Sequence, residues 1–406
     1  MCKSFYVMKK FILSVAALSM ALAASAQETP ASVKVGGFIR TYAHIDTKDM
    51  ISGRGDLFSY IPLEAQSDNG NTYHLTAMTS RLWVNAEGYR FGNMTASAKI
   101  EADFYNGVTG VTGTANLRLR QAFVNLGFEN SKGEKIGSLK VGQAWHPMAA
   151  DMPDVLSLNT GAPFGAFSRT PLVQWDSPVS DNLSLTGAAI WQMQYTSCGP
   201  DGGSANYLKN GGIPEIYLGL NYTGANTLFR LGYDFLSIKP YVGGKRVNSS
   251  LVFAYAQYKK GLFSAKAKTT YGQNGSHLNL TGGYAVTGGT TKEDFEYTPS
   301  TSSSTWLSLS YGKKWQGVLF AGYLHNFGVN KTLAGDYWFC SNSRNNVKNV
   351  WRLTPTVFRN IGKLTLGAEC ELTNAQYGVL QADGTVGGDL KNVLNTRLQL
   401  MLKFTF

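Results

Sequence analysis

The chain ends LNTRLQLMLKFTF, residues 394–406. Leu394, Leu398, Leu400, Leu402, Phe404 and Phe406 share one parity, and Asn395, Arg397, Gln399, Lys403 and Thr405 share the other. Side chains alternate faces along a strand, so this segment reads as a strand with one apolar face and one polar, charged face. The alternation recurs upstream. Met94, Ala96, Ala98, Ile100, Ala102 and Phe104 oppose Thr95, Ser97, Lys99, Glu101 and Asp103. Phe263, Ala265, Ala267 and Tyr271 oppose Ser264, Lys266, Lys268 and Thr270, and Leu364, Leu366, Ala368, Cys370 and Leu372 oppose Thr365, Glu369 and Glu371. Each segment runs to ~10 residues or more, the length a tilted strand needs to cross a bilayer. Strands of a soluble sandwich run to ~5–6.

The connectors alternate as well. Short links fall at 91–93, 129–135, 178–181, 223–225, 260–261, 313–314 and 360–362. Long ones fall at 46–78, 106–116, 146–169, 193–213, 237–247, 274–303, 328–345 and 378–392. Seven short and eight long links imply sixteen strands. The expected fold class is all-β: a 16-stranded antiparallel transmembrane β-barrel with short periplasmic turns and long extracellular loops. Residues 278–286 also alternate, and are placed as part of a hairpin inside the longest late loop so that the short/long order holds.

Composition agrees. Charged residues are 16% of the 406, against roughly 25% in soluble domains, and the 43% that are hydrophobic exclude disorder as a global description. Basic residues outnumber acidic ones 37 to 26, a net +11. The longest basic runs are nevertheless pairs such as Lys259-Lys260 and Lys313-Lys314, so a nucleic-acid partner is not expected. Lys9-Lys10, the apolar run 11–22 and Ala24-Ser25-Ala26 form a secretory signal, with cleavage expected after Ala26. Its loss removes Lys3, Lys9 and Lys10, leaving 34 basic against 26 acidic residues, a net +8, in a single domain 27–406. Nothing downstream approaches ~18 consecutive apolar residues. Three cysteines remain, Cys198, Cys340 and Cys370. The odd number is no disulfide scaffold; a bridge between Cys198 and Cys340, both in loops on the same side, stays open.

The segments Gly36-Gly37-Phe38-Ile39-Arg40, Ser80-Arg81-Leu82 and Lys99-Ile100-Glu101-Ala102-Asp103-Phe104-Tyr105 resemble successive strands of the DcaP-like trimeric outer-membrane porins. Leu117-Arg118-Leu119-Arg120-Gln121-Ala122-Phe123, Val141-Gly142-Gln143-Ala144-Trp145 and the terminal Phe406 continue the resemblance. It implies a sixteen-stranded barrel, a homotrimer in the outer-membrane bilayer, and diffusion of small anionic solutes. In trimeric porins the third long loop folds into the barrel. Here that loop, 146–169, is apolar for a solvent-facing segment, and Asp151, Asp154, Phe164 and Phe167 are its constriction candidates.

Chemistry beyond transport finds little footing. His44, His74, His146, His277 and His325 show no metal-type spacing, no phosphate-cradling loop occurs, and no Ser accompanies His325-Asn326 as an outer-wall hydrolase needs. No metal, cofactor or catalysed reaction is expected. The polar face remains. A turn centred on Gly92 sets Arg81 opposite Asp103, and one centred on Ile361 sets Arg352 between Glu369 and Glu371. Such pairs are ordinary sheet stabilisers. They leave Arg40, Lys140, Arg230, Lys266, Lys268, Arg397 and Lys403 without cross-strand acids. Arg118 and Arg120 share parity with lipid-facing Ala122, Val124 and Leu126. An arginine in hydrocarbon costs ~2–4 kcal/mol, so a bulge near Arg120 or Gln121 is expected to turn both inward. The pore-lining, anion-binding candidates are Arg40, Arg81, Lys99, Arg118, Arg120, Lys140, Arg169, Lys266 and Lys268. The reading is a passive, anion-preferring porin. The alternatives are a phosphate- or carbohydrate-preferring porin and a non-channel structural or adhesive barrel.

Overall fold

The computed structural model describes residues 31–53, 58–66, 71–106, 115–156 and 161–406. The expected signal segment 1–26 lies outside the described residues. Sixteen long strands run in chain order: β1 (Ser32–Asp46), β2 (Arg81–Phe91), β3 (Met94–Asn106), β4 (Ala115–Glu129), β5 (Lys135–Trp145), β6 (Arg169–Pro178), β7 (Leu183–Ile190) and β8 (Glu215–Thr223), then β9 (Thr227–Ile238), β10 (Val247–Lys260), β11 (Phe263–Gln273), β12 (Thr301–Gly312), β13 (Trp315–Gly328), β14 (Val347–Ile361), β15 (Leu364–Leu380) and β16 (Val386–Thr405). Each pairs antiparallel with the next, and β16 closes on β1 from Phe38↔Thr405 to Asp46↔Arg397. The short strand Thr72–Thr76 continues the line of β2 against β1, so the sixteen positions form a closed antiparallel barrel. Closure leaves no edge strand, and every ladder hydrogen bond is made internally, as a bilayer demands.

The alternation decides which face is which. Leu400 is 62% exposed and its neighbour Gln399 is 1% exposed. Apolar side chains therefore cover the outside and polar ones fill the interior. The seven short links all form tight turns, with Gly92, Gly261 and Gly362 in the left-handed backbone region that favours glycine.

Two expected registers change. The β14–β15 turn is the two-residue Gly362-Lys363, pairing Ile361 with Leu364, so Arg352 faces Thr373; it keeps the expected ion pair with Glu371, at 3.4 Å, but not one with Glu369. The eighth long link shrinks to 381–385, because β15 and β16 keep pairing beyond the apolar band. Above the bilayer both faces of a hairpin are wet, so no alternation marks that extension.

The β3–β4 ladder carries a bulge. Glu101 pairs with Gln121 and Ala102 with Leu119, which makes Arg120 the extra residue. The phase of β4 flips there, and Arg118 and Arg120 both reach interior carboxylates.

The long loops fold over one rim. Met50–Gly53 and Phe58–Pro62 make a hairpin, and Gly283–Gly288, Glu296–Pro299 and Tyr337–Phe339 make a three-stranded sheet. The alternation at 278–286 belongs partly to that sheet, while Gly275–Leu278 is a 3-10 turn. Cys198 and Cys340 are buried beneath this layer as free thiols, and burial raises the Cys198 pKa to about 11.

Candidate functional site

The third loop leaves β5 at Trp145 and re-enters β6 at Arg169, and between them it is bonded to the inner wall. Asp151 pairs with Arg230 of β9 at 3.2 Å, and Asp154 pairs with Lys266 of β11 at 2.6 Å. Lys268 Nζ donates to the Met148 carbonyl. The Asp154 N–H donates to Ser308 Oγ of β12, and the Leu156 N–H to Glu369 Oε2 of β15. Tyr42 OH of β1 donates to the Leu156 carbonyl, and Arg352 Nη1 of β14 to the Ala162 carbonyl at 2.9 Å. Phe164 is fully buried against Phe320, over Gly322. Phe167 stacks edge-on against Phe58 and Trp145. Burial raises the pKa of Asp151 even though Arg230 and Lys268 oppose it.

The four constriction candidates are thus anchors, with their side chains turned into wall and loop packing. Three cations that the cross-strand reading leaves without acids have them: Arg230 on Asp151, Lys266 on Asp154, and Arg397 on Asp46 at 2.5 Å. Two of those partners come from a loop and the third from the strand that closes the barrel. Strand-to-next-strand pairing reveals neither.

The opposite wall is a basic band. Arg40 on β1 stands directly opposite Lys403 on β16. Arg40 Nε donates to Thr79 Oγ1, and its guanidinium lies 4.8 Å from the Phe38 ring. Arg81 on β2 is in register with Asp103 on β3, which is in register with Arg118 on β4. Arg118 grips Asp103 with two bonds of 2.9 and 3.0 Å, while Arg120 bridges Glu101 at 2.6 Å and Asp103 at 2.7 Å. Arg81 and Lys99 also reach Glu101, at 3.6 and 3.2 Å. Lys140 of β5 lies over Phe123. Arg169 is 1% exposed, and its guanidinium sits 4.6 Å from the Trp145 ring, which Arg120 also approaches at 5.9 Å. Arg169 has no ion pair within 4 Å among the described residues, and its Nη1 has no hydrogen-bond partner. With Arg118 it lines a cavity of about 440 Å³ that Gln143, Gln194, Tyr60 and Tyr195 also line.

Solved structures share this architecture. The outer-membrane channel DcaP of Acinetobacter baumannii matches with a TM-score of 0.69 and 16% identity, over 94% of this chain and 100% of that one. The fold is that of the outer-membrane porins. OmpF of Salmonella typhi, in complex with daunomycin, matches with a TM-score of 0.55 and 12% identity over 92% and 97% of the two chains. The trimer form of OmpT, an outer-membrane protein of Vibrio cholerae, matches with a TM-score of 0.54 and 10% identity over 93% and 100%. No family model and no curated relative matches the chain.

On this porin barrel the candidate cations divide into two sets. Arg40, Arg81, Lys99, Arg118, Arg120, Lys140 and Arg169 share one wall, whereas Lys266 and Lys268 belong to the anchorage of the third loop. Sequence reading gave Arg352 only a cross-strand role; it also donates to the Ser59 and Tyr60 carbonyls and so ties the first and third loops to the wall. Those carbonyls leave no residue-type signal, whereas its bonds to Thr373 Oγ1 at 2.8 Å and to Glu371 at 3.4 Å are of the cross-strand kind that parity reveals.

Proposed function

We propose that this protein is an outer-membrane porin: a passive channel for small hydrophilic solutes that prefers anions, carboxylates among them, and catalyses no reaction. It reaches the outer membrane by way of its signal segment and works there as a homotrimer. DcaP is described as an outer-membrane channel and OmpT occurs in a trimer form, and both share this fold.

One observation carries the anion preference. Neighbouring strands β16 and β1–β6 present Lys403, Arg40, Arg81, Lys99, Arg118, Arg120, Lys140 and Arg169, and Glu101 and Asp103 are the carboxylates bonded within that group. Like charges directly opposite in a sheet, as in Arg40 and Lys403, are destabilising. An anion passing along the wall relieves that repulsion. In a narrow, low-dielectric passage, unpaired fixed charge raises the local concentration of the opposite ion and lowers that of its partner. A carboxylate also matches the fork of a guanidinium, and Arg169, which has no ion pair within 4 Å among the described residues and lines the cavity with Arg118, is the strongest candidate to receive one.

The reversal potential across a planar bilayer in a KCl gradient tests this. Wild type is expected to prefer chloride. Replacing Arg118→Ser and Arg120→Ser together removes the cations that hold Asp103 and part of the hold on Glu101. The double variant is therefore expected to lose the preference or reverse it. A wild-type channel that prefers potassium overturns the proposal.

A further inference from the structure

Four residues far apart in the chain meet where the third loop joins the wall. His146 follows β5, Glu215 opens β8, Asp234 lies on β9, and His277 sits in the 3-10 turn of the sixth loop. None is more than 1% exposed. His146 Nε2 is 2.6 Å from Glu215 Oε1 and 3.7 Å from Asp234 Oδ1. His277 Nε2 is 3.4 Å from Glu215 Oε1 and 3.4 Å from Asp234 Oδ2.

We propose that His146, His277, Glu215 and Asp234 form a divalent transition-metal site, of the zinc class, that pins the third and sixth loops to the inner wall. Two bonds of zinc-like length at the tetrahedral angle set their donor atoms about 3.3 Å apart; donor atoms of His146, Glu215 and Asp234 all lie within 4.8 Å of one another, and His277 Nε2 is 3.4 Å from an oxygen of each carboxylate. Imidazole and carboxylate are the ligands such ions accept. Charge balance agrees. The ion pairs described for Glu215 and Asp234 are with the two histidines, and a dication would balance the two carboxylate charges. Protons alone leave Glu215 Oε2 and Asp234 Oδ1, the latter 3.7 Å from His146 Nε2, buried without hydrogen-bond partners, a costly arrangement unless something else is coordinated there. His146 Nδ1 accepts the Met148 N–H, which aims Nε2 at the carboxylates. Binding a metal through Nε2 moves the ring proton to Nδ1 and gives up that one neutral hydrogen bond.

Spacing rules detect metal sites built on one local motif. This one is assembled by two adjacent strands and two loops, which is why the sequence does not display it. The proposal stands apart from the anion preference: a chloride-selective channel without the metal, or a metal-binding one without selectivity, are separate results.

The full-length mature protein, folded in detergent and stripped with a chelator, is titrated with Zn2+ and separately with Co2+. Expected are one equivalent bound per chain, a visible Co2+ spectrum of a four- or five-coordinate site with nitrogen and oxygen ligands, and a higher unfolding temperature with metal than with chelator. His277→Gln lies in a loop and leaves the barrel ladder intact; it is expected to weaken binding roughly 100-fold or more. Absence of saturable binding near one equivalent overturns the proposal, as does a His277→Gln variant that binds like wild type. If that variant does not fold, stoichiometry and the Co2+ spectrum of the wild type decide alone.

Discussion

At the scale of single residues, glycines on the inner face let the third loop lie against the wall. A Cβ at Gly322 would meet the Phe164 ring at 2.6 Å, and one at Gly165 would meet Trp306 Nε1 at 2.8 Å. Gly367 sits under Leu156 in the same way. A larger residue at 322 overpacks a filled site, which costs about 1–3 kcal/mol. Detaching one loop anchor relieves that strain more readily than deforming a closed barrel. Gly322→Val is therefore expected to release Phe164, raising single-channel conductance and its noise in planar bilayers. Gly317→Ala is the control, because a Cβ there meets open space. Conductance equal to wild type in a folded Gly322→Val barrel would show that Phe164 does not hold the loop.

At the scale of elements, strands were legible and loops were not, for a physical reason. A bilayer requires each spanning strand to be apolar outside, and water in the interior permits polar groups inside, so period two is imposed on every strand. That made the sixteen strands, the seven tight turns and the β4 bulge readable, the last because Arg118 and Arg120 share the parity of lipid-facing Ala122 and Val124, where a charge cannot stay. No such rule governs the loops. Asp151 and Asp154 are the expected constriction charges, and alternation does not show that they pair with Arg230 and Lys266 across the interior. That fact changes what a deletion of 151–165 should do. Removing the segment widens the passage and also takes Asp151, Asp154 and the Ala162 carbonyl away from Arg230, Lys266 and Arg352. The deletion is expected to raise conductance and to strengthen chloride preference together, both read from current–voltage curves in a KCl gradient. Higher conductance with unchanged selectivity would place the ion-selective step on the basic band alone.

At the scale of the whole molecule, the barrel has two unlike ends. Seven tight turns close one end, and the long loops, with their hairpin and three-stranded sheet, cover the other. The β16–β1 closure sets Phe406 beside Gly37, so the last strand ends at the tight-turn rim. A chain inserted from the inner side of the membrane passes its hairpins outward more easily when the trailing turns are short and the leading loops carry the bulk. The long loops are therefore expected on the cell surface. The link between Gly283–Gly288 and Glu296–Pro299 is exposed and stands clear of the barrel ladder, so a short epitope at 290–294 should leave the ladder intact. An epitope in the exposed β12–β13 turn, at Lys313-Lys314, tests the other rim. On intact cells the first is expected to bind antibody, and the second to bind it only after the outer membrane is opened. The reverse pattern would invert the barrel, and would place the rim that bears the third and sixth loops on the periplasmic side.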